Sequence, residues 1–207
     1  MARRDPPYRL ETERLVIRCW DPRDARLLKE AIESSLDHLR PWMPWARAEP
    51  TTLDEKVKLL RRFRGLFDAG EDFVYGMFDP DESEVVGGTG LHTRVGDDAF
   101  EIGYWVRASR AGEGLATEAA AALTRVAFAV CGADRVEIRT DPENERSAAI
   151  PRKLGYALEA TLRGRASTAE GEPRDTMIWS IFADDYASSP CARASVEAFD
   201  AMGRKIL

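Results

Sequence analysis

The sequence predicts an α/β fold in one mixed sheet with helices on both faces, and three patterns carry the prediction. A strand-like run near the start is followed by two helical segments. Three strand-like runs come next, separated only by short turns, which is the signature of an antiparallel meander. Helices and strands then alternate to residue 182. A run of strands followed by alternating elements fits a sheet that is partly antiparallel and partly parallel, covered on both sides. The expected order is β-α-α-β-β-β-α-β-α-β-β, with residues 1–9 as an arm, 10–183 as the domain and 184–207 as an added C-terminal helical segment.

The elements follow in order. Residues 15–20 (Leu-Val-Ile-Arg-Cys-Trp) read as the first strand. Asp21 and Pro22 supply an N-cap and a first helical residue, and Ala25, Leu28, Ala31, Ile32 and Leu36 recur at helical spacing. Two prolines, Pro41 and Pro44, make 38–45 an irregular loop that carries His38, Trp42, Met43 and Trp45. Thr52 and Glu55 form a capping box for a second helix with Val57, Leu60, Phe63 and Phe67 inward and Gly70 at its end. Strands are expected at 73–78, 84–91 and 100–106, with turns at 79–81 and 96–98. A long helix over 112–131 has Leu115, Ala119, Leu123, Val126, Ala127 and Val130 on one face. Strict alternation makes 135–140 a strand, a turn at 141–144 leads into a short helix at 147–154, and strands at 156–162 and 175–182 finish the domain. A last helix is expected around 196–206.

Composition narrows the function. Apolar residues make up 44% and charged residues 32% of the 207, as in a globular protein. With 36 acids against 30 bases the net charge is −6, which argues against direct nucleic-acid binding. The excess is concentrated: residues 65–93 hold seven carboxylates and no Lys or Arg, so that stretch carries −7 and the rest of the chain sums to +1. Cys19, Cys131 and Cys191 are scattered and His38 and His92 are the only histidines, so neither a metal site nor a disulfide framework is expected. The start of the sequence lacks a signal-peptide pattern and no apolar run reaches membrane-spanning length, which points to a cytoplasmic protein without a membrane partner.

The most informative stretch joins a strand to a helix: Arg107, Arg110, Gly112, Gly114 and Glu118 in the series R-A-S-R-A-G-E-G-L-A-T-E. The first amides of a helix lack internal partners and sit at the positive end of its dipole, and glycines let a phosphate approach them. A phosphate-binding loop of the GxxxxGK[ST] kind is excluded, because no Gly-Lys pair exists. A dinucleotide fingerprint would need glycine where Thr117 stands. The remaining pattern, R-x-x-G-x-G/A, runs from Arg110 through Ala111, Gly112, Glu113, Gly114 and Leu115 to Ala116.

That loop, the preceding E-I-G-Y-W-V from Glu101 to Val106 and the following N-E-R-S-A-A-I-P-R-K-L-G-Y from Asn144 to Tyr156 together resemble the GNAT N-acetyltransferases. The T-E-R-L of 12–15 and the tryptophan loop point to their RimJ/RimL-like, ribosomal-protein-modifying branch. The resemblance covers 10 to about 183 and implies an acyltransferase that moves an acetyl group from acetyl-CoA directly to a primary amine, with no metal. The acceptor it implies is a protein N-terminus or else a small amine. A non-catalytic acyl-CoA sensor is the alternative, and the tail and tryptophan loop are compatible with a homodimer.

The resemblance also implies roles. Backbone groups of Tyr104, Trp105 and Val106 would hold the pantetheine arm and polarise the thioester between splayed central strands. The amides of Ala111, Gly112, Glu113, Gly114, Leu115 and Ala116, with Arg110, would take the pyrophosphate. Asn144, Ser147 and Lys153 would add contacts to the cofactor. Glu101, on one strand face with Gly103 and Trp105, is the expected base. Many members carry a tyrosine acid where Ile150 stands, so Ser147 is expected to protonate the leaving sulfur. His38, Trp42 and Trp45 would line the acceptor slot, and His92 receives no role.

Overall fold

The computed structural model describes residues 5–168 and 171–207. Nine strands form one sheet: β1 (Arg9–Glu11), β2 (Val16–Cys19), β3 (Phe73–Phe78), β4 (Val85–His92), β5 (Ala99–Val106), β6 (Arg135–Thr140), β7 (Ala157–Ser167), β8 (Pro173–Phe182) and β9 (Glu197–Phe199). Their spatial order is β7-β8-β6-β5-β4-β3-β2-β1-β9. Among the described residues only β5 and β6 run parallel; every other neighbouring pair is antiparallel.

Six α-helices accompany the sheet: α1 (Ala25–Glu33), α2 (Leu36–Leu39), α3 (Leu53–Asp68), α4 (Leu115–Ala129), α5 (Glu145–Lys153) and α6 (Ala183–Tyr186). The expected capping box of α3 is present, with Thr52 accepting from the Glu55 amide and Glu55 returning to Thr52. The larger core joins Ile17, Tyr75, Met77, Leu91, Ile102, Val136 and Ile138 to Leu123 and Val126 of α4. A smaller core on the other face joins Trp20, Phe78 and Val85 to Leu28 and Ile32 of α1 and Leu60 of α3. The two clusters follow from strand alternation: Ile102 and Tyr104 of β5 pack with the α4 core, Trp105 with the α1/α3 core.

Three local expectations are corrected. The loop 38–45 is more regular than its prolines suggest, because α2 ends before Pro41 and a 3-10 turn, Pro44–Ala48, uses Pro44 as its first residue. The hairpin of β7 and β8 is longer than expected, with irregular register between Leu162 and Ala166. The tail carries no helix at 196–206: Glu197–Phe199 is a strand paired with β1, and the chain then turns back so that Ile206 N–H donates to the Ala198 carbonyl. A strand of three residues is too short to leave a periodic trace in the sequence.

The feature that positions the site is where β5 and β6 part. Their register runs from Ala99 opposite Arg135 to Ile102 opposite Ile138 and stops. Beyond that point β5 stays with β4 to Val106, and β6 stays with β8 to Thr140. A wedge therefore opens at Gly103.

Candidate active site

The backbone of the wedge can be read from its ladder. Arg107 N–H donates to Val86 O at 3.0 Å, on the β4 side. In an antiparallel pair the residues alternate between facing the partner and facing away. Gly103 and Trp105 therefore bond toward β4, and the N–H and C=O of Tyr104 and Val106 point into the wedge, where the register gives them no β6 partner. Unpaired amides of this kind can hold an extended amide chain and polarise a carbonyl.

The glycine loop meets the same wedge. Gly112 and Gly114 have φ of +89° and +84°, conformations that favour glycine. Gly114 is the N-cap of α4 and contributes no side-chain cap, so the first amides of that helix lack a protein acceptor from the cap. Arg110 is at the loop but is engaged, donating to Glu113 at 2.9 Å and to Glu84 at 2.9 Å. Arg107 turns away: it is buried and reaches Glu30 of α1 at 2.8 Å. Arg14 stands there instead, donating to the Glu113 carbonyl at 2.8 Å and pairing with Glu118 at 2.6 Å. Nothing periodic marked Arg14 as a loop residue; its place in the T-E-R-L stretch was the only signal.

On the α4/α5 side of the wedge the Tyr104 hydroxyl lies 3.3 Å from Ser147 Oγ and donates to the Ser147 carbonyl at 3.2 Å. Burial raises the Tyr104 hydroxyl to about 12, partly offset by the Ser147 hydrogen bond. Sequence reading used only the backbone of Tyr104, although alternation already placed its ring opposite Glu101. Asn144 caps α5, its Oδ1 accepting from Ser147 N–H at 3.1 Å. Lys153 is exposed in the last turn, at the far end of this helix of roughly 13 Å, so α5 does not gather it with Ser147.

The opposite side is charged. Glu101 is 5% exposed and shares its face with Gly103 and Trp105, as alternation requires. Its oxygens are not open, however: Arg94 grips both, with Nε at 3.1 Å, and Arg139 of β6 lies at 3.4 Å. Trp105 lies flat on Gly88, whose Cβ would fall 2.5 Å from the indole Nε1. Trp45 meets Trp105 edge to face at 5.8 Å and is 39% exposed. Trp42 lies under the Arg174 guanidinium at 4.9 Å, and Arg174 also binds the Pro41 carbonyl and Asp141 just beyond β6. Both tryptophans thus stand at the rim of the wedge; His38, half-buried in α2, has no comparable tie among the described residues. The acidic stretch 65–93 is mostly engaged locally, with Asp68 on Tyr8, Glu82 on Arg9 and Arg18, and Glu84 on Arg110.

This wedge and loop are what a family comparison recognises: the acetyltransferase (GNAT) domain matches residues 14–157, from Arg14 at the loop through the end of α5. The chain belongs to the GNAT acetyltransferase family. This acetyltransferase uses acetyl-CoA, and its open α4 N-terminus and free wedge amides fit a pyrophosphate and an amide-bearing arm. It is 27% identical over 186 residues to the ribosomal protein uS5-alanine N-acetyltransferase of Escherichia coli, covering 87% of this chain and 94% of the relative. Its fold matches the ribosomal-protein-S5-alanine acetyltransferase of Vibrio fischeri at a TM-score of 0.75 and 22% identity, over 86% of this chain and 98% of that one. RimL, the ribosomal L7/L12 α-N-protein acetyltransferase solved with coenzyme A, also matches at 0.75, with 21% identity over 87% of this chain and 99% of that one. Among the described residues no helix is long and apolar enough to cross a membrane, and no group of three His, Cys, Asp or Glu could hold a metal ion.

Proposed function

We propose that this acetyltransferase acetylates the α-amine of a protein N-terminus in the cytoplasm, in the manner its ribosomal-protein-modifying relatives are named for. The observation that carries the reading is the wedge at Gly103, with free Tyr104 and Val106 amides and the half-exposed Trp45 at its rim. In this reading the amides of residues 111–116 hold the pyrophosphate, supported by the charge of Arg110 and Arg14. Trp105, expected to hold the pantetheine arm through its backbone, bonds toward β4 instead and contributes only its indole as floor. Tyr104 and Val106 orient the thioester, and Asn144 retains its amide N–H groups for the cofactor after capping α5.

The leaving sulfur takes its proton from the hydroxyl pair of Ser147 and Tyr104, with Ser147 one helical turn from Ile150 on α5. Glu101 becomes an organising carboxylate rather than the proton acceptor, because guanidinium donors occupy both of its oxygens. Trp42 and Trp45 flank the incoming residue. The test is thiol release from acetyl-CoA over peptides that differ only in their first residue, with small amines as a parallel arm. Turnover confined to small amines would sink the protein-acceptor reading.

A further inference from the structure

One polar pair beside the wedge has no part in the scheme above. His92, the last residue of β4, places Nδ1 2.8 Å from Asp72 Oδ1 in the turn between α3 and β3. A carboxylate only accepts, so in the neutral ring Nδ1 carries the proton and Nε2 presents a lone pair. The Nε2 edge of the ring lies over two glycines: a Cβ at Gly90 would fall 2.8 Å from Nε2, and one at Gly103 would fall 3.4 Å from it. Gly103 is the first β5 residue past the last β5–β6 pair. Nε2 therefore sits at the apex of the wedge, on the Glu101 and Trp105 face, and makes no hydrogen bond among the described residues. The side chain is 17% exposed.

We propose that His92, oriented by Asp72, is the base that takes the proton from the acceptor amine. The proposal rests on the acetyl-transfer reading of the wedge. The ammonium R–NH3+ gives one proton to Nε2 and becomes R–NH2. Its nitrogen forms the C–N bond to the thioester carbon, the C–S bond breaks and the electron pair leaves on sulfur. The hydroxyl pair of Ser147 and Tyr104 protonates the sulfur and is replenished as the amide nitrogen sheds its surplus proton. One proton per turnover leaves through the imidazolium to solvent. The charged groups that face the ring are Asp72 and, around its register partner Glu101, Arg94 and Arg139.

The experiment combines rate and spectroscopy. Thiol release from acetyl-CoA is followed against pH, with a hexapeptide beginning with alanine and, separately, with no acceptor, where water is the nucleophile. His92→Gln should lower kcat about 10²–10⁴-fold at little change in KM and abolish the acid limb of the profile. Asp72→Asn should lower kcat in the same direction by permitting the wrong tautomer. Nitrogen NMR of the native enzyme, with the resonance assigned by its loss in His92→Gln, should show Nδ1 protonated and Nε2 bare at neutral pH, and a titration midpoint that coincides with the kinetic limb. This readout needs no acceptor. A kcat for His92→Gln within threefold of native with the limb retained overturns the proposal, as does an Nε2-protonated or non-titrating ring. A peptide that fails to react while acetyl-CoA hydrolysis keeps its His92 dependence counts against the protein-acceptor reading alone.

Discussion

Around Tyr104, the α4/α5 face of β5 offers hydroxyls and backbone amides, whereas three residues back and on the other face Glu101, Arg94, Arg139, His92 and Asp72 make a charged row. Strand alternation puts Tyr104 on one face and Glu101, with its register partner His92, on the other. The neutral side suits an uncharged thioester and a sulfur that must receive a proton, and a tyrosine held at about 12 stays protonated there. The charged side suits an acceptor that arrives as an ammonium and must lose one. A single strand thus keeps the donor and the acceptor of protons apart while both reach the same apex.

The sharpest way to break this contrast is on the neutral side. Removing both hydroxyls with Ser147→Ala and Tyr104→Phe should reduce kcat roughly 10²–10⁴-fold, with each single change milder, and leave the acetyl-CoA dissociation constant within threefold. In the native enzyme, kcat should show no alkaline decline from this pair below about pH 10, since burial keeps Tyr104 protonated well beyond its ordinary range. A decline centred below pH 9 that vanished in Tyr104→Phe would contradict that assignment.

Gly114→Val probes the loop rather than the wedge. A β-branched residue at φ +84° costs about 1–2 kcal/mol and obstructs the approach to the α4 amides. Calorimetry should show acetyl-CoA affinity falling about tenfold or more, with kcat at saturation largely kept. Trp45→Ala removes an edge-to-face partner of Trp105 at the rim. Aromatic pairs contribute about 0.5–1.5 kcal/mol, so the acceptor KM should rise by roughly 2–12-fold while kcat holds.

The smallest effect is expected at Glu101→Gln. Breaking a buried ion pair costs about 3–5 kcal/mol when the remaining charge is stranded, but Arg94 and Arg139 are 60% and 42% exposed and stay solvated. A loss near 1 kcal/mol is the discounted figure, or about 2–4 °C in Tm. Activity should remain within tenfold of native; loss on the scale of His92→Gln would return the base role to Glu101.

Much of this was legible before any coordinates. The meander, the α3 capping box and the glycine loop follow from local rules, and local rules act within a few residues. The functions of Gly112 and Gly114 were readable because positive φ and an open helix start are properties of the segment itself. What escaped depends on partners brought together by the fold. Asp72 and His92 come from separate strand ends, Arg14 reaches α4 from the β1–β2 turn, and the Tyr104 hydroxyl finds Ser147 only once α5 packs beside the wedge. Glu101 shows the converse: its face was predicted correctly, but whether its oxygens were open depended on Arg94 and Arg139, on which alternation is silent.

The pairing of β9 with β1 sets the order in which the molecule can be finished. Arg9 is opposite Phe199, so the outer edge of β1 stays bare during synthesis until residue 199 has left the ribosome. The wedge, the glycine loop and the smaller core, by contrast, draw on residues before 183, while the larger core also takes Cys191, Val196 and Ala198 from the tail. An unpaired edge is a template for the wrong strand, and long-range pairings form late. Chains cut short before residue 197 should therefore assemble a site that binds acetyl-CoA yet aggregate through β1, and a three-residue strand far from the chemistry serves to keep finished molecules apart.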